Sequence, residues 1–309
     1  MILVTGSLAF DQIMNFPGRF CDAIMPDKIH MINLSFLTDS LSKNFGGTAG
    51  NIAYNLSLLE AKTAVLASSG KDFLAYKNFL DKVGVNTAYI KECADLFTAN
   101  YFVVVDRRDN QIGGFYSGAM VKDKDLSINS VKEKINLVII SPTDPQAMIN
   151  FAKQSKEKNI PYVFDPGMQL PRLSNNQLEQ GIKNAEILIG NDYEMALIQK
   201  RLNLTAEQIL KKVRILITTL AEKGSIINNK IKIGIAKPEK IIDPVGAGDA
   251  YRAGFTAGYL KGLDLETCGQ IGATVACYAV EKKGTTAHSF TKKEFCDRFE
   301  SNFGKKIEI

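Results

Sequence analysis

Residues 241–255 read "IIDPVGAGDAYRAGF". Two glycines, Gly246 and Gly248, flank Ala247, and the carboxylate of Asp249 follows at once. A glycine-rich turn that opens a helix is suited to binding an anion, because the first backbone N–H groups of a helix are unpaired and lie at the positive end of its dipole. A negatively charged side chain beside an anion-binding loop would repel the anion, so its presence needs an explanation.

A helix is predicted directly after this loop. Small residues recur at spacings of three and four, which places them on one helix face: Ala250, Ala253, Gly254, Ala257 and Gly258. Such a face lets the helix lie close to a neighbouring element. The loop fits neither of two common phosphate motifs, because the chain lacks G-x-x-x-x-G-K-[ST] and because Tyr251 stands where the dinucleotide fingerprint has its third glycine.

Two roles are open for Asp249. Aspartate is a good helix cap, and this would explain it without any chemistry. Alternatively, the loop N–H groups hold a phosphoryl group in transfer while Asp249 accepts the proton of the attacking hydroxyl. Phosphoryl transfer requires both charge stabilisation and a base near the nucleophile.

The composition excludes several classes of protein. The 309 residues are 45% hydrophobic, enough for a large core. No apolar run approaches the ~18 residues that cross a bilayer, and the N-terminus lacks a charged n-region, so neither a membrane protein nor a secreted one is expected. Five scattered cysteines suit reduced thiols in the cytoplasm. The net charge of +5 is dispersed, so no nucleic-acid partner is expected.

Four short apolar runs predict a parallel sheet. They begin at residues 136, 161, 186 and 214, spacings of roughly 25 to 28 residues, which accommodate a strand and a returning helix: "NLVII", "PYVF", "EILIG" and "RILITTL". Continuous apolar strands are typical of parallel sheets covered on both faces. The runs end in polar residues: Ser141, Asp165, Asn191, and Thr218 with Thr219. Since ligands bind beyond the carboxyl ends of such strands, these residues mark one edge of a site.

The N-terminal third differs from this pattern. Residues 99–116 predict two strands joined by a polar turn, and residues 13–43 lack a long helical pattern. Two β-rich insertions in an α/β chain suggest a small projecting sheet that acts as a lid. We therefore assign residues 13–43 and 96–119 to a β lid. The α/β core is assigned to the rest of the chain: 1–12, 44–95 and 120–309.

Several motifs along the chain resemble those of a known enzyme family. "DPVGAGDAYRAGF" resembles the C-terminal signature of the ribokinase, or PfkB, carbohydrate kinase family, and "FGGTAGNIAYNLSLL" resembles its N-terminal glycine signature. "GVNT", "NDYE" and "TTLAEKGS" occur in the family's order. The resemblance implies a ribokinase-like fold, a doubly wound and mostly parallel sheet flanked by helices, with a small β-sheet lid.

The resemblance also implies roles. Asp249 matches the family's catalytic base, and Gly246, Ala247 and Gly248 match its anion hole. Asn191 and Glu194 match the N-x-x-E motif that organises Mg²⁺ and phosphates, Glu194 through water, although "NDYE" alone is more typical of a turn into a helix.

Further roles concern ATP and a cation. Thr219 and Gly224 match a nucleotide-binding stretch in which Ala221 replaces the family's usual glycine. A monovalent cation such as K⁺ near Asp243 and residues 281–288 is a further implication of the family; the sequence itself does not show it.

The acceptor is indicated by the first strand and its surroundings. "GSLAFDQIMNFPGRF" lacks the N-x-D pattern of many sugar kinases and resembles bacterial and archaeal nucleoside kinases, particularly adenosine kinases. By that resemblance Asp11 binds ribose hydroxyls with Gly47 and Asn51. The base would be surrounded by Ser7, Ser35, Phe102, Phe115 and Gln169.

The chemistry of these side chains is consistent with nucleoside binding, but structural roles are also open for them. A carboxylate that accepts from two vicinal hydroxyls selects ribose, and an aromatic face stacks on a purine. However, Phe102 and Phe115 would serve equally as packing of the lid, and Asp11 as a turn cap.

The sequence thus predicts transfer of the γ-phosphoryl group of ATP, with Mg²⁺, to the 5′-hydroxyl of a nucleoside. Adenosine is the favoured acceptor. A ribose or fructose kinase of the same family is the alternative, and a catalytically silent nucleoside-binding relative is a second one. The base preference and the phosphoryl donor are left open. A monomer or a homodimer through the lid is expected.

Overall fold

A computed structural model describes residues 1–308. In chain order the strands are β1 (Ile2–Thr5), β2 (Ala9–Asn15), β3 (Ser40–Gly46), β4 (Thr63–Gly70), β5 (Ile90–Cys93), β6 (Ala99–Val105), β7 (Gln111–Tyr116), β8 (Leu137–Ile140), β9 (Tyr162–Phe164), β10 (Ile187–Asn191), β11 (Ile215–Thr219), β12 (Ser225–Ile227) and β13 (Ile231–Ile233). The α-helices are α1 (Phe20–Ala23), α2 (Thr48–Leu58), α3 (Leu74–Lys82), α4 (Pro145–Glu157), α5 (Asn175–Ile182), α6 (Asp192–Leu202), α7 (Ala206–Leu210), α8 (Ala247–Leu260), α9 (Leu265–Val280) and α10 (Lys292–Phe303).

The larger sheet has the order β13-β12-β11-β10-β9-β8-β1-β4-β5. Its strands from β11 to β5 run parallel to their neighbours, whereas β12 and β13 pair antiparallel. The four predicted apolar runs are the consecutive strands β8 to β11, which confirms the parallel sheet. The chain winds outward from β1 in both directions, so the predicted doubly wound architecture is confirmed.

Both faces of this sheet are covered by helices. Ile187 and Ile189 of β10 pack in one buried cluster with side chains of α2, α3, α8, α9 and α10. Leu188, between them, packs in a second cluster with side chains of α4, α5, α6 and α7. Successive strand residues thus face opposite cores, which explains why these strands are continuously apolar.

The small-residue face of α8 packs against α9. A Cβ added to Gly254 would lie 2.8 Å from the Cα of Gly272, and one added to Gly258 would lie 3.3 Å from the Cα of Cys268. The predicted close helix contact is confirmed. This contact fixes the direction of α8 and therefore the position of its N-terminus.

The smaller sheet has the order β3-β2-β6-β7. The hairpin of β6 and β7 matches the two strands predicted over residues 99–116. β2 begins at Ala9 and β3 ends at Gly46, so this sheet extends beyond the range 13–43 at both ends. The division into core and lid stays a prediction. Within residues 1–308, every helix is too short or too polar to cross a membrane.

Candidate active site

Polar residues line the carboxyl edge of the large sheet, as predicted. Ser141 and Asp165 follow directly after β8 and β9, and Asn191 and Thr219 end β10 and β11. These four strands are neighbours in the sheet. The N-terminus of α8 meets the same edge, because Arg252 of α8 forms an ion pair with Asp165.

Asp243 anchors the loop that precedes α8. Its Oδ1 accepts a hydrogen bond from the N–H of Val245 at 3.0 Å, and its Oδ2 accepts one from the N–H of Gly284, also at 3.0 Å. The carboxylate thus joins this loop to the segment after α9. Gly246 has a φ of 85°, a backbone conformation that favours glycine, and it is the residue at which α8 begins.

Two of the three N–H groups predicted to form an anion hole are open donors. Within residues 1–308, the N–H groups of Gly246 and Gly248 have no hydrogen-bond partner, whereas the N–H of Ala247 donates to the carbonyl of Pro244 at 3.3 Å. The Ala247 group is therefore partly engaged in a turn, which the sequence did not indicate. Two unpaired donors at a helix N-terminus are suited to a phosphate.

Asp249 lies in the first turn of α8. The residue that caps this helix is Gly246, without a side-chain bond, and Asp249 instead accepts from Nδ2 of Asn51 at 2.9 Å. Burial raises the pKa of Asp249, and the positive charge of Arg252 and the Asn51 bond oppose this increase. The alternative of a simple helix cap does not match this geometry.

Asp11 lies on β2 and faces the same site. A Cβ on Gly46 would lie 2.2 Å from Oδ2 of Asp11, so the glycine provides the space for the carboxylate. Burial and the negative charges of Asp249 and Asp243 raise the pKa of Asp11 to about 6. Two acidic side chains therefore face one region, the arrangement expected where hydroxyl groups are bound and deprotonated.

The strand register places the two predicted aromatic residues, Phe102 and Phe115, on opposite faces of the small sheet. Tyr101 pairs with Asp11 and with Phe115, so these three side chains share one face of the small sheet. Phe102 pairs with Gln12 and lies on the opposite face. Phe115 is thus brought together with Asp11, and Phe102 is not. Tyr101 joins this face although it was not singled out; the alternation of β6 was the signal.

The other predicted substrate residues have different surroundings. Oγ of Ser7 accepts from the N–H of Thr48 at 3.1 Å, so this hydroxyl is used at the start of α2. Gln169 is buried after β9 and accepts from Nη1 of Arg172 at 3.3 Å. Ser35 is exposed in a segment without regular structure. These positions leave the base contacts as predictions.

The N-x-x-E motif forms a helix cap. Oδ1 of Asn191 accepts from the N–H of Glu194 at 2.8 Å, and Oε2 of Glu194 accepts from the N–H of Asn191 at 2.7 Å. This reciprocal pair is a capping box that starts α6. The motif alone predicted a turn into a helix, and this is confirmed. The capping box holds Glu194 at the carboxyl edge of the sheet.

The predicted nucleotide-binding stretch is the connection from β11 to β12. Oγ1 of Thr219 lies 3.5 Å from the carbonyl oxygen of Gly190, and Gly224 has a φ of 83°. Ala221 has a φ of 50°. This left-handed conformation is easier for glycine, so Ala221 adopts it at a conformational cost.

Comparison with known proteins identifies the family. Residues 8–292 match the family described as pfkB family carbohydrate kinase. The nucleoside kinase of Methanocaldococcus jannaschii is 33% identical over 306 residues, which cover 97% of each chain. The chain therefore belongs to the PfkB family of carbohydrate kinases, and its fold is ribokinase-like.

Solved structures of a nucleoside kinase from Burkholderia thailandensis are also similar. The complex with inosine superposes with a TM-score of 0.89 at 32% identity, covering 99% of both chains. The complex with ADP and inosine gives a TM-score of 0.87 at 33% identity, covering 100% of this chain and 98% of the other.

Proposed function

We propose that this protein transfers the γ-phosphoryl group of ATP to the 5′-hydroxyl of a nucleoside, with adenosine and inosine as the first acceptors to test. The observation that carries this proposal is the Asp249 carboxylate, which lies next to the open N–H groups of Gly246 and Gly248. Support comes from the nucleoside kinase relatives and from the structures with inosine and ADP.

In this proposal each group at the loop has one task. Asp249 accepts the proton of the 5′-hydroxyl, whose oxygen attacks the γ-phosphorus. The N–H groups of Gly246 and Gly248 stabilise the negative charge that is spread over the phosphoryl oxygens. Asn51 holds Oδ2 of Asp249 through its Nδ2 donor, so the base has a defined orientation.

Thr219 and Gly224 are proposed to contact the nucleotide. Asn191 and Glu194 are the residues proposed for Mg²⁺. Within residues 1–308 no three His, Cys, Asp or Glu side chains cluster as a metal site. Mg²⁺ at nucleotide sites binds through phosphates and water with only one or two carboxylates, so a single carboxylate at Glu194 is sufficient. Glu194 can serve through water, because a carboxylate has about four acceptor positions and the capping box occupies one of them. When bound with ATP, Mg²⁺ neutralises phosphate charge.

Asp243 and residues 281–288 are proposed to hold a monovalent cation such as K⁺. Asp243 binds the N–H of Gly284 and so positions this segment against the loop before α8. Backbone carbonyl oxygens of an ordered segment suit a hard cation, which would stabilise the segment in place.

The nucleoside is proposed to bind between the small sheet and the carboxyl edge. Asp11, Gly47 and Asn51 would contact the ribose. Phe115 is the better placed of the two phenylalanines for the base, because it shares the face of Asp11. Phe102, Ser7, Ser35 and Gln169 remain part of the proposal as base contacts.

The raised pKa of Asp11 predicts a pH-dependent KM. Above pH 6 Asp11 is ionised and accepts charge-assisted hydrogen bonds from ribose. Protonation below this pH removes them, so KM for the nucleoside increases as the pH falls from about 7 to about 5. Initial rates over a pH series measure this. An Asp11→Asn variant should have a high KM that is independent of pH, and a flat KM in the wild type would argue against a ribose contact.

An acceptor panel tests the proposed function. Purified protein is assayed with ATP and Mg²⁺ against adenosine, inosine, guanosine, cytidine, ribose and fructose. We expect kcat/KM to be at least ~10²-fold higher for a nucleoside than for either sugar, because the base adds stacking of about 1–3 kcal/mol and further contacts. Turnover of ribose or fructose alone would identify a sugar kinase. Binding of a nucleoside without turnover would identify a silent relative.

The place of action and the assembly are also proposals. ATP as donor and five unpaired cysteines suit the cytoplasm. For assembly we retain a monomer or a homodimer through the lid, whose strand β7 has every residue exposed. Analytical ultracentrifugation distinguishes the two.

A further inference from the structure

Arg252 is a buried cation that the roles above do not use. It follows Asp249 by three residues on α8, a spacing that places both side chains on the same part of the helix surface. The side chain of Arg252 is 11% exposed and that of its partner Asp165 is 1% exposed. Nη2 donates to Oδ1 of Asp165 at 3.1 Å, and Nε lies 2.5 Å from Oδ2. One hydrogen bond from Nη2 and a close ionic contact at Nε, both to the same buried carboxylate, restrict the position of the guanidinium.

The third nitrogen of Arg252 lies against the anion hole. A Cβ built on Gly248 would be 2.6 Å from Nη1. The guanidinium therefore occupies the space that a side chain at position 248 would need. Gly248 also carries one of the two open N–H donors of the loop. The positive charge is thus directly next to the place proposed for the phosphoryl group.

Several charged or polar groups surround this position. Burial disfavours the charged form of Arg252, but Asp165, Asp249 and Glu194 outweigh it and raise the pKa of the guanidinium. Four elements contribute groups that face or influence Asp249: Arg252 on α8, Asn51 on α2, Asp11 on β2 and Tyr76 on α3, together with Asp165 after β9. Arg252 is the cation among them.

We propose that Arg252 is a positioning residue for phosphoryl transfer: clamped by Asp165 and seated against Gly248, it supplies the fixed positive charge that keeps Asp249 in its carboxylate form. This inference rests on the proposed phosphoryl transfer. In that step the acceptor oxygen forms a bond to the γ-phosphorus, the bond from phosphorus to the leaving ADP oxygen breaks, and the acceptor proton passes to Asp249. Arg252 keeps its own protons throughout.

A purely structural ion pair would behave differently. It would join α8 to the end of β9, and its loss would lower stability without changing the ionisation of Asp249. The pH profile of kcat at saturating nucleoside separates these roles, because its acidic limb reports the ionisation of the base in the bound complex, whereas kcat/KM would also contain the ionisation of Asp11.

The decisive experiment compares two opposite changes of charge. Arg252→Gln removes the cation, so the apparent pKa of the acidic limb should rise by about 1–3 pH units, the range for a nearby opposite charge. Asp165→Asn removes an anion and leaves Arg252 in place, so the limb should move to lower pH. Arg252→Lys keeps the charge, so its limb should stay close to the wild-type position. Arg214→Gln, an exposed arginine paired with Glu186, is the matched control and should leave the profile unchanged.

The results decide between the two roles even when one variant folds poorly. Thermal unfolding of each variant reports folding, and the Asp165→Asn arm alone tests the direction of the shift. Limbs that stay in place, or that move in the same direction in both variants, would overturn the proposal. The assay uses whichever acceptor the wild-type enzyme turns over. If the wild-type enzyme phosphorylates no nucleoside, the proposed acceptor is wrong. That outcome does not depend on the role of Arg252.

Discussion

Replacing Asp249 with Asn lowers kcat by at least ~10²-fold, the low end for removal of a general base. The amide has nearly the same shape and can still accept from Nδ2 of Asn51, so the loop keeps its geometry. It cannot take up the proton of the acceptor hydroxyl. The affinity for the nucleoside changes much less, because the proposed ribose contacts are Asp11, Gly47 and Asn51.

Steady-state kinetics and nucleoside titrations measure the two effects of Asp249→Asn. The matched control is Asp264→Asn, because Asp264 caps α9 and accepts from the N–H of Thr267 at 2.9 Å, away from the proposed site. That variant should lose at most ~1 kcal/mol of stability and keep its kcat. A wild-type kcat in Asp249→Asn would show that this carboxylate is not the base.

Replacing Gly47 with Ala destabilises the protein by about 2–5 kcal/mol. Gly47 has a φ of 84°, which costs an alanine about 1–2 kcal/mol. The new Cβ would also lie 2.5 Å from the carbonyl oxygen of Ser7 and 2.7 Å from the N of Ala9, and relieving such contacts costs about 1–3 kcal/mol. Because Gly47 begins α2, the shift also moves Asn51 and lowers activity.

Urea unfolding compares this variant with Gly84→Ala. Gly84 has a similar φ of 87°, but a Cβ there meets nothing within 4 Å. The control should therefore lose only the conformational term of about 1–2 kcal/mol and keep full activity. Equal losses in the two variants would mean that the contacts of Gly47 with Ser7 and Ala9 do not constrain α2.

The fold could be predicted largely from local patterns. Strands β8 to β11 are continuously apolar because alternate residues face two cores, and this signal is visible in the sequence itself. The small face of α8 was also visible, because the spacing of its residues is helical. The capping box of Asn191 and Glu194 involves residues three apart, so the turn could be predicted from four letters.

The site depended on contacts that sequence spacing does not reveal. Asn51 and Asp249 are separated by 198 positions, and Arg252 and Asp165 by 87. Asn51 was predicted to contact ribose, but its bond to Asp249 was not foreseen. Whether Phe102 shares a face with Asp11 depends on the register of β2 and β6, and a shift of one residue would reverse it.

We propose that Asp249 and the loop of Gly246 and Gly248 transfer phosphate to a nucleoside 5′-hydroxyl. Phosphorus NMR of a reaction with ATP, Mg²⁺ and adenosine follows this transfer. We predict adenosine 5′-monophosphate and ADP in equal amounts, and no phosphorylated product from 5′-deoxyadenosine, which lacks the attacking hydroxyl. ATP consumption without a 5′-phosphorylated nucleoside, or phosphate found on ribose or fructose alone, would contradict the claim.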